Sequence, residues 1–104
     1  MFSINFKEGV IVHGFSRELL IAYVNTIFIF IRHDSELTIT SVFDGVHSVN
    51  SKHNSGNAFD IRTRHLTADY VKSIADDIRK SLTKDYDIVI ESNHIHIEYD
   101  PKRY

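Results

Sequence analysis

Two imidazoles and a carboxylate occur in this chain in an order that suits one divalent metal. His53 and Asp60 belong to Ser51-Lys52-His53-Asn54-Ser55-Gly56-Asn57-Ala58-Phe59-Asp60, and His96 to His94-Ile95-His96-Ile97-Glu98. Zinc bound by His and carboxylate takes four positions, with one left to water in a catalytic site. Gly56 lets the backbone turn between His53 and Asp60, so that both side chains can converge. Ala58 falls on the same side of a strand as Asp60 and leaves room beside it. His94 is a poor co-ligand for His96: residues two apart on a strand share a face but stand ~7 Å apart. It is better suited to hold a nucleophilic water or a developing oxyanion. Glu91 lies within reach of such a water and is the expected general base. These residues describe metal-assisted hydrolysis.

The elements that must position them are legible around the site. Tyr86 to Glu91 and His94 to Tyr99 are two alternating runs around Ser92-Asn93, and Asn suits a tight hairpin turn. A two-residue loop sets Glu91 opposite His94, Ile90 opposite Ile95, Val89 opposite His96, Ile88 opposite Ile97 and Asp87 opposite Glu98. Paired residues project on one side of a sheet. Ile88, Ile90, Ile95 and Ile97, with Tyr86 and Tyr99, then form the core face. The opposite face carries Asp87, Val89, Glu91, His94, His96 and Glu98, an unusual set to build for solubility alone.

Upstream, Ser16 can cap a helix to about Arg32, with Glu18 in its first turn. Its apolar segment Leu19 to Ile31 predicts a buried helix, with Phe28 and Phe30 in the core. Leu37 to Phe43 alternates as a half-buried strand. Asp44-Gly45 opens a polar loop through Gly56, and Ala58 to Arg62 is a short strand. Thr67 can cap a second helix to about Leu82, with Tyr70, Val71, Ile74, Ile78 and Leu82 on one buried face. His13, His33 and His65 read as exposed or helix-end residues. Arg62 and Arg64 suit a solvated edge, or the binding of a substrate carboxylate.

Composition narrows the rest. The chain has 104 residues, 42% of them hydrophobic, which suits one small domain with a real core. There is no cysteine, so any metal must use His, Asp or Glu. A net charge of -2 with mixed signs argues against a nucleic-acid partner. Leu19 to Ile31 is too short to span a bilayer. The N-terminus lacks a basic region before an apolar run, so no signal peptide is expected and the chain should be cytoplasmic until released.

Ser51-x-His53-x-x-Gly56-x-Ala58-x-Asp60 resembles the signature of the zinc D-Ala-D-Ala peptidase family. That family contains bacterial carboxypeptidases and dipeptidases and phage endolysins that cut peptidoglycan stem peptides. The resemblance implies that His53 and Asp60 bind Zn2+ and that His96, followed by Ile97 and Glu98, is the third ligand. It extends to the related metal-site fold of the Hedgehog signalling domain, through Asp44-Gly45, His47, the His53 to Asp60 signature and Glu91-Ser92-Asn93-His94-Ile95-His96. In that comparison His47 is a wall residue near the metal, Glu91 the base and His94 a transition-state stabiliser. Ser51 joins His47 and Arg62 as an implied substrate-side residue. Short phage-encoded peptidases of this group are the most similar, including the continuation Asp60-Ile61-Arg62-Thr63. The match covers roughly residues 38 to 100. It departs at Asn93, where many family members carry the acid three residues before the third ligand.

The expectation is thus one α+β zinc peptidase domain over residues 1–104, a small antiparallel sheet with two packed helices, Hedgehog- and D,D-peptidase-like. Its expected activity is D,D-carboxypeptidase or endopeptidase cleavage of peptidoglycan stem peptides, with Glu91 moving the proton and His94, with His47, facing the oxyanion. The alternatives are a catalytically silent zinc domain used for binding, and a metal-free structural domain.

Overall fold

The computed structural model describes residues 2–10, 16–43 and 58–101 of the chain. In order these form β1 (Ser3–Phe6), α1 (Arg17–Arg32), β2 (Glu36–Phe43), β3 (Ala58–Arg62), α2 (Ala68–Ser81), β4 (Tyr86–Ile90) and β5 (His94–Tyr99). The five strands make one sheet in the order β1-β2-β3-β5-β4. The fold is α+β, with both helices packed against the sheet. The sheet is mixed rather than antiparallel, because β1 pairs parallel to β2 while the other three pairings are antiparallel.

Local chemistry accounts for the helix ends. The Ser16 hydroxyl accepts the Leu19 amide at 3.0 Å, and the Thr67 hydroxyl accepts the Tyr70 amide at 3.2 Å. Each satisfies a backbone donor that has no partner inside its helix. At the far end of α1, His33 is the C-cap and Asp34 turns with φ 50°. The His33 ring also bonds Asp77 of α2 at 2.9 Å and stacks edge-on against Tyr70. His33 is therefore a half-buried tie between the helices, more than an exposed helix end. His65 is exposed, with Nε2 2.8 Å from the Glu36 carbonyl.

The hairpin register is the expected one, with Val89 opposite His96 and Asp87 opposite Glu98. One correction falls at its tip. Ile90 is exposed and borders a cleft with Leu66, Ala68 and Val71. Tyr70 is also exposed, at the start of α2, while Val71, Ile74, Ala75 and Ile78 carry the buried face.

A larger correction concerns α1. Leu19, Ala22, Ile29 and Phe30 are buried against Leu37, Ile39, Phe59, Ile61, Ile95 and Ile97. Leu20, Ile21, Val24, Phe28 and Ile31 are exposed. The helix is apolar on two sides, and only one of them meets the sheet. Phe28 is 59% exposed and Phe30 is 0% exposed. Phe30→Ala is accordingly expected to lower stability by about 3–5 kcal/mol. Phe28→Ala should change it by about 0.5 kcal/mol or less, as surface substitutions usually do. Denaturant unfolding of the two variants checks the contrast.

Candidate metal centre

β3 and β5 are neighbours at the centre of the sheet, and their antiparallel register places Asp60 directly opposite His96 and Arg62 opposite His94. Phe59, Ile61, Ile95 and Ile97 take the helix-covered face. Strand alternation therefore turns Asp60, Arg62, His94, His96 and Glu98 to the other face. The spacing of His94-Ile95-His96 thus has a simple structural meaning: it puts both imidazoles on the face that Asp60 takes on the adjacent strand.

Three contacts define the centre. His96 Nδ1 stands 2.7 Å from Asp60 Oδ1, His96 Nε2 stands 3.0 Å from Glu98 Oε1, and His94 Nε2 stands 3.7 Å from Asp60 Oδ2. Asp60 is only 8% exposed, and a carboxylate so enclosed needs a charge partner. His96 supplies it. The hydrogen bond to Asp60 is the main cause that pushes the His96 pKa up to about 9; burial opposes it and Glu98 adds to it. Without metal, the ring is an imidazolium held between two carboxylates.

Asp60 and His96 each offer a donor atom that could ligate a metal. A metal held by Asp60 and His96 Nδ1 would take the place of the proton they share. The remaining His96 N–H then keeps Glu98 as its acceptor. Carboxylate support of this kind fixes the orientation of metal-bound histidines. The Glu98 role was not expected from the sequence, although its place two residues after His96 on the same face was a usable signal.

Asn93 has a second unexpected role. With the proton on His94 Nδ1, the ring donates to Asn93 Oδ1 at 2.6 Å and turns Nε2 toward Asp60. The Asn93 side chain therefore orients His94. β2 contributes through a break in register between Ile39 and Ser41. The extra residue, Thr40, brings Ser41 opposite Asp60, and its hydroxyl lies 3.4 Å from the Asp60 carbonyl. Such bulges re-aim side chains beside functional sites.

Glu91 is placed differently from Asp60 and His94. It is exposed, its amide donates to the His94 carbonyl at 2.8 Å, and it lines a cleft with Thr63, Arg64, Leu66, Ala68 and Val71. Asp60 and His94 line the adjacent cleft, and Asn93 and Arg64 border both. His53, His47 and Ser51 lie outside the described residues, as do Asp44, Gly45, Gly56 and His13.

Among the described residues, one group of three carboxylates could also hold a cation: the oxygens of Asp87, Glu98 and Asp100 lie within 4.8 Å of one another. An all-oxygen set suits a hard ion such as calcium or magnesium. The direct pairing of Asp87 with Glu98 foreshadowed part of this cluster; Asp100, beyond the strand, did not stand out. No helix among the described residues is long and apolar enough to cross a membrane. No family model, curated protein or solved structure matches the chain.

Proposed function

We propose that this protein is a zinc-dependent peptidase acting on peptidoglycan stem peptides, of the D-Ala-D-Ala peptidase kind and with a Hedgehog-related metal site. One observation carries the reading. Asp60 and His96, two of the three ligands implied by the signature, face each other across β3 and β5 with donor atoms 2.7 Å apart. His53 supplies the third ligand on the evidence of the sequence pattern alone.

Zinc in that site would supply Lewis acidity, bringing the pKa of a water it holds to about 7. The chain's own residues do the rest. Glu98 holds the His96 ring. Asn93 holds His94, whose ring faces the oxyanion as the peptide carbonyl is attacked. Glu91 takes the proton of the attacking water and returns it to the leaving amine. For this the Glu91 carboxylate must swing past Asn93 from its own cleft, a side-chain movement at the exposed end of β4.

The position of Glu91 also supports the second reading, a zinc domain that binds without turnover. Glu91→Gln separates the two. In the enzyme it should lower the rate of peptide release from purified peptidoglycan by about 10²–10⁴-fold and leave zinc content unchanged. Wild-type and variant protein that both leave peptidoglycan uncut, with zinc bound, would establish the silent domain. Glu98→Gln should act on the metal instead. Its expected effect is a roughly 10–100-fold loss of zinc affinity, read by competition with a chromogenic chelator.

A further inference from the structure

The far side of α1 is built like an interface. Leu19, Ala22, Ile29 and Phe30 enter the core, while Leu20, Ile21, Val24, Phe28 and Ile31 lie on the other side, between 40% and 59% exposed. A helix that is apolar all round is one buried on both sides, and the described residues cover only one of them. Ile21, Val24, Phe28 and Ile31 are spaced by three, four and three residues. That is the spacing by which two helices interlock side chains along a seam. The apolar surface continues past the helix. Ile4 and Phe6 of β1 pair with Leu37 and Ile39, so they project on the helix side of the sheet, exposed at its edge. Together these side chains present roughly 500 Å² of apolar surface, the size at which a patch on a small protein marks an interaction site. Two such faces brought together cover about 1,000 Å², the low end for a specific protein pair.

Charge identifies the occupant. α1 carries Arg17 and Glu18 in its first turn and Arg32 at its end, with Asp34 just beyond. Glu18, Asn25 and Arg32 are seven residues apart and share one flank of the seam. Two copies related by a two-fold axis can run these helices in the same direction or in opposite directions. In the same direction every charge meets its own kind. In opposite directions Glu18 meets Arg32 of the second copy and Arg17 meets Asp34, each twice in the dimer. Arg32 stands 3.8 Å from Asp77 within its own chain, with its side chain 65% exposed, so it can reach outward as well. Reversed helices also set the positive end of one dipole beside the negative end of the other. A lipid surface fits less well, because helices that lie on membranes flank their apolar face with an excess of Lys and Arg. Here acids and bases are balanced.

We infer that the protein pairs with a second copy of itself through antiparallel α1 helices. The pairing does not depend on the metal or on the peptidase reading. Asp60 and His96 lie on the opposite face of the sheet from the helices, so the dimer is layered sheet, helices, helices, sheet, and its two metal centres face outward in opposite directions.

Sedimentation equilibrium of the full chain tests this. The average mass should rise from 12.1 kDa toward twice that value as concentration increases. An interface of this size gives weak, reversible pairing, so the rise is expected between about 1 and 500 μM. Phe28→Glu should raise the dissociation constant at least about tenfold. Val24→Lys should do the same, and serves if circular dichroism shows Phe28→Glu misfolded. Val89→Glu, at an exposed apolar position on the metal face, should leave pairing unchanged. Glu18→Arg and Arg32→Glu should each weaken pairing several-fold at low salt. An equimolar mixture of these two variants should recover it, because both oppositely charged pairs are remade in the mixed dimer.

A chain that stays at 12.1 kDa throughout would overturn the inference, as would a dimer indifferent to both Phe28→Glu and Val24→Lys. Charge variants that pair like the wild type, or a mixture that fails to recover, would overturn the antiparallel arrangement. A monomer that instead floats with phosphatidylcholine vesicles would overturn self-pairing and assign the stripe to a lipid surface.

Discussion

Asp60→Asn should abolish chelator-sensitive peptide release and lower zinc affinity by at least about 10²-fold. The amide keeps the shape of the side chain but not its charge, and zinc is bound by ionised carboxylates. The loss is expected to be large because Asp60 does two things at once. It offers one oxygen to the site and holds His96 in place across the strand pair, 2.7 Å away. Its environment also discriminates between outcomes. Asp60 is nearly buried, so the neutral amide is not excluded by a desolvation penalty, and the fold should survive. Circular dichroism that matches the wild type, together with lost zinc and lost turnover, is the predicted combination.

The second large effect is a competition between zinc and a proton for His96. The metal-free ring has its pKa pushed up to about 9 by Asp60, with a further contribution from Glu98. A proton must leave before the ring can bind a metal. Apparent zinc affinity should therefore rise about tenfold per pH unit from about pH 6.5 and flatten above about pH 9. The stability of the metal-free protein should move the other way. A histidine whose folded pKa lies above its unfolded value stabilises the fold fully below the unfolded value, about 6.5, and the contribution is lost as pH rises through about 9. With allowance for solvent around a partly exposed pair, the contribution is about 1–2 kcal/mol. For a domain of this size that is a melting temperature lower by roughly 5–10 °C at high pH. The gap between zinc-loaded and metal-free melting temperatures should thus widen with pH. In Asp60→Asn the decline of the metal-free protein between these pH values should be much smaller.

The parts of the molecule that were legible in sequence share a physical cause. The β4–β5 hairpin was readable because a two-residue turn and strict alternation leave one register that buries Ile88, Ile95 and Ile97 together. The helix starts were readable because Ser16 and Thr67 satisfy their own first-turn amides. The convergence of Asp60 and His96 on one face followed from a period of two on both strands, once these were neighbours. That adjacency of β3 and β5 was not itself encoded in local pattern.

What escaped the sequence depends on tertiary neighbours. α1 is apolar on two sides, and periodicity does not say which side meets the sheet; Phe30 and Phe28 therefore looked alike. β1 is four residues long and gains its identity by pairing parallel to β2. The bulge at Thr40 breaks an alternation that looks regular in sequence. The bond from Asn93 to His94 depends on the fold of the hairpin turn. Glu91 illustrates the limit of a register argument. Its backbone pairs with His94 as expected, but at the end of β4 its side chain lines the cleft on the α2 side.

Calorimetric titration of zinc into the metal-free protein at pH 8 tests the centre most directly. The account predicts one ion per chain, release of close to one proton as His96 gives up its charge, and loss of both signals in Asp60→Asn. Zinc bound equally well by Asp60→Asn would contradict it and move the ion elsewhere, with the Asp87, Glu98 and Asp100 carboxylates the first place to look.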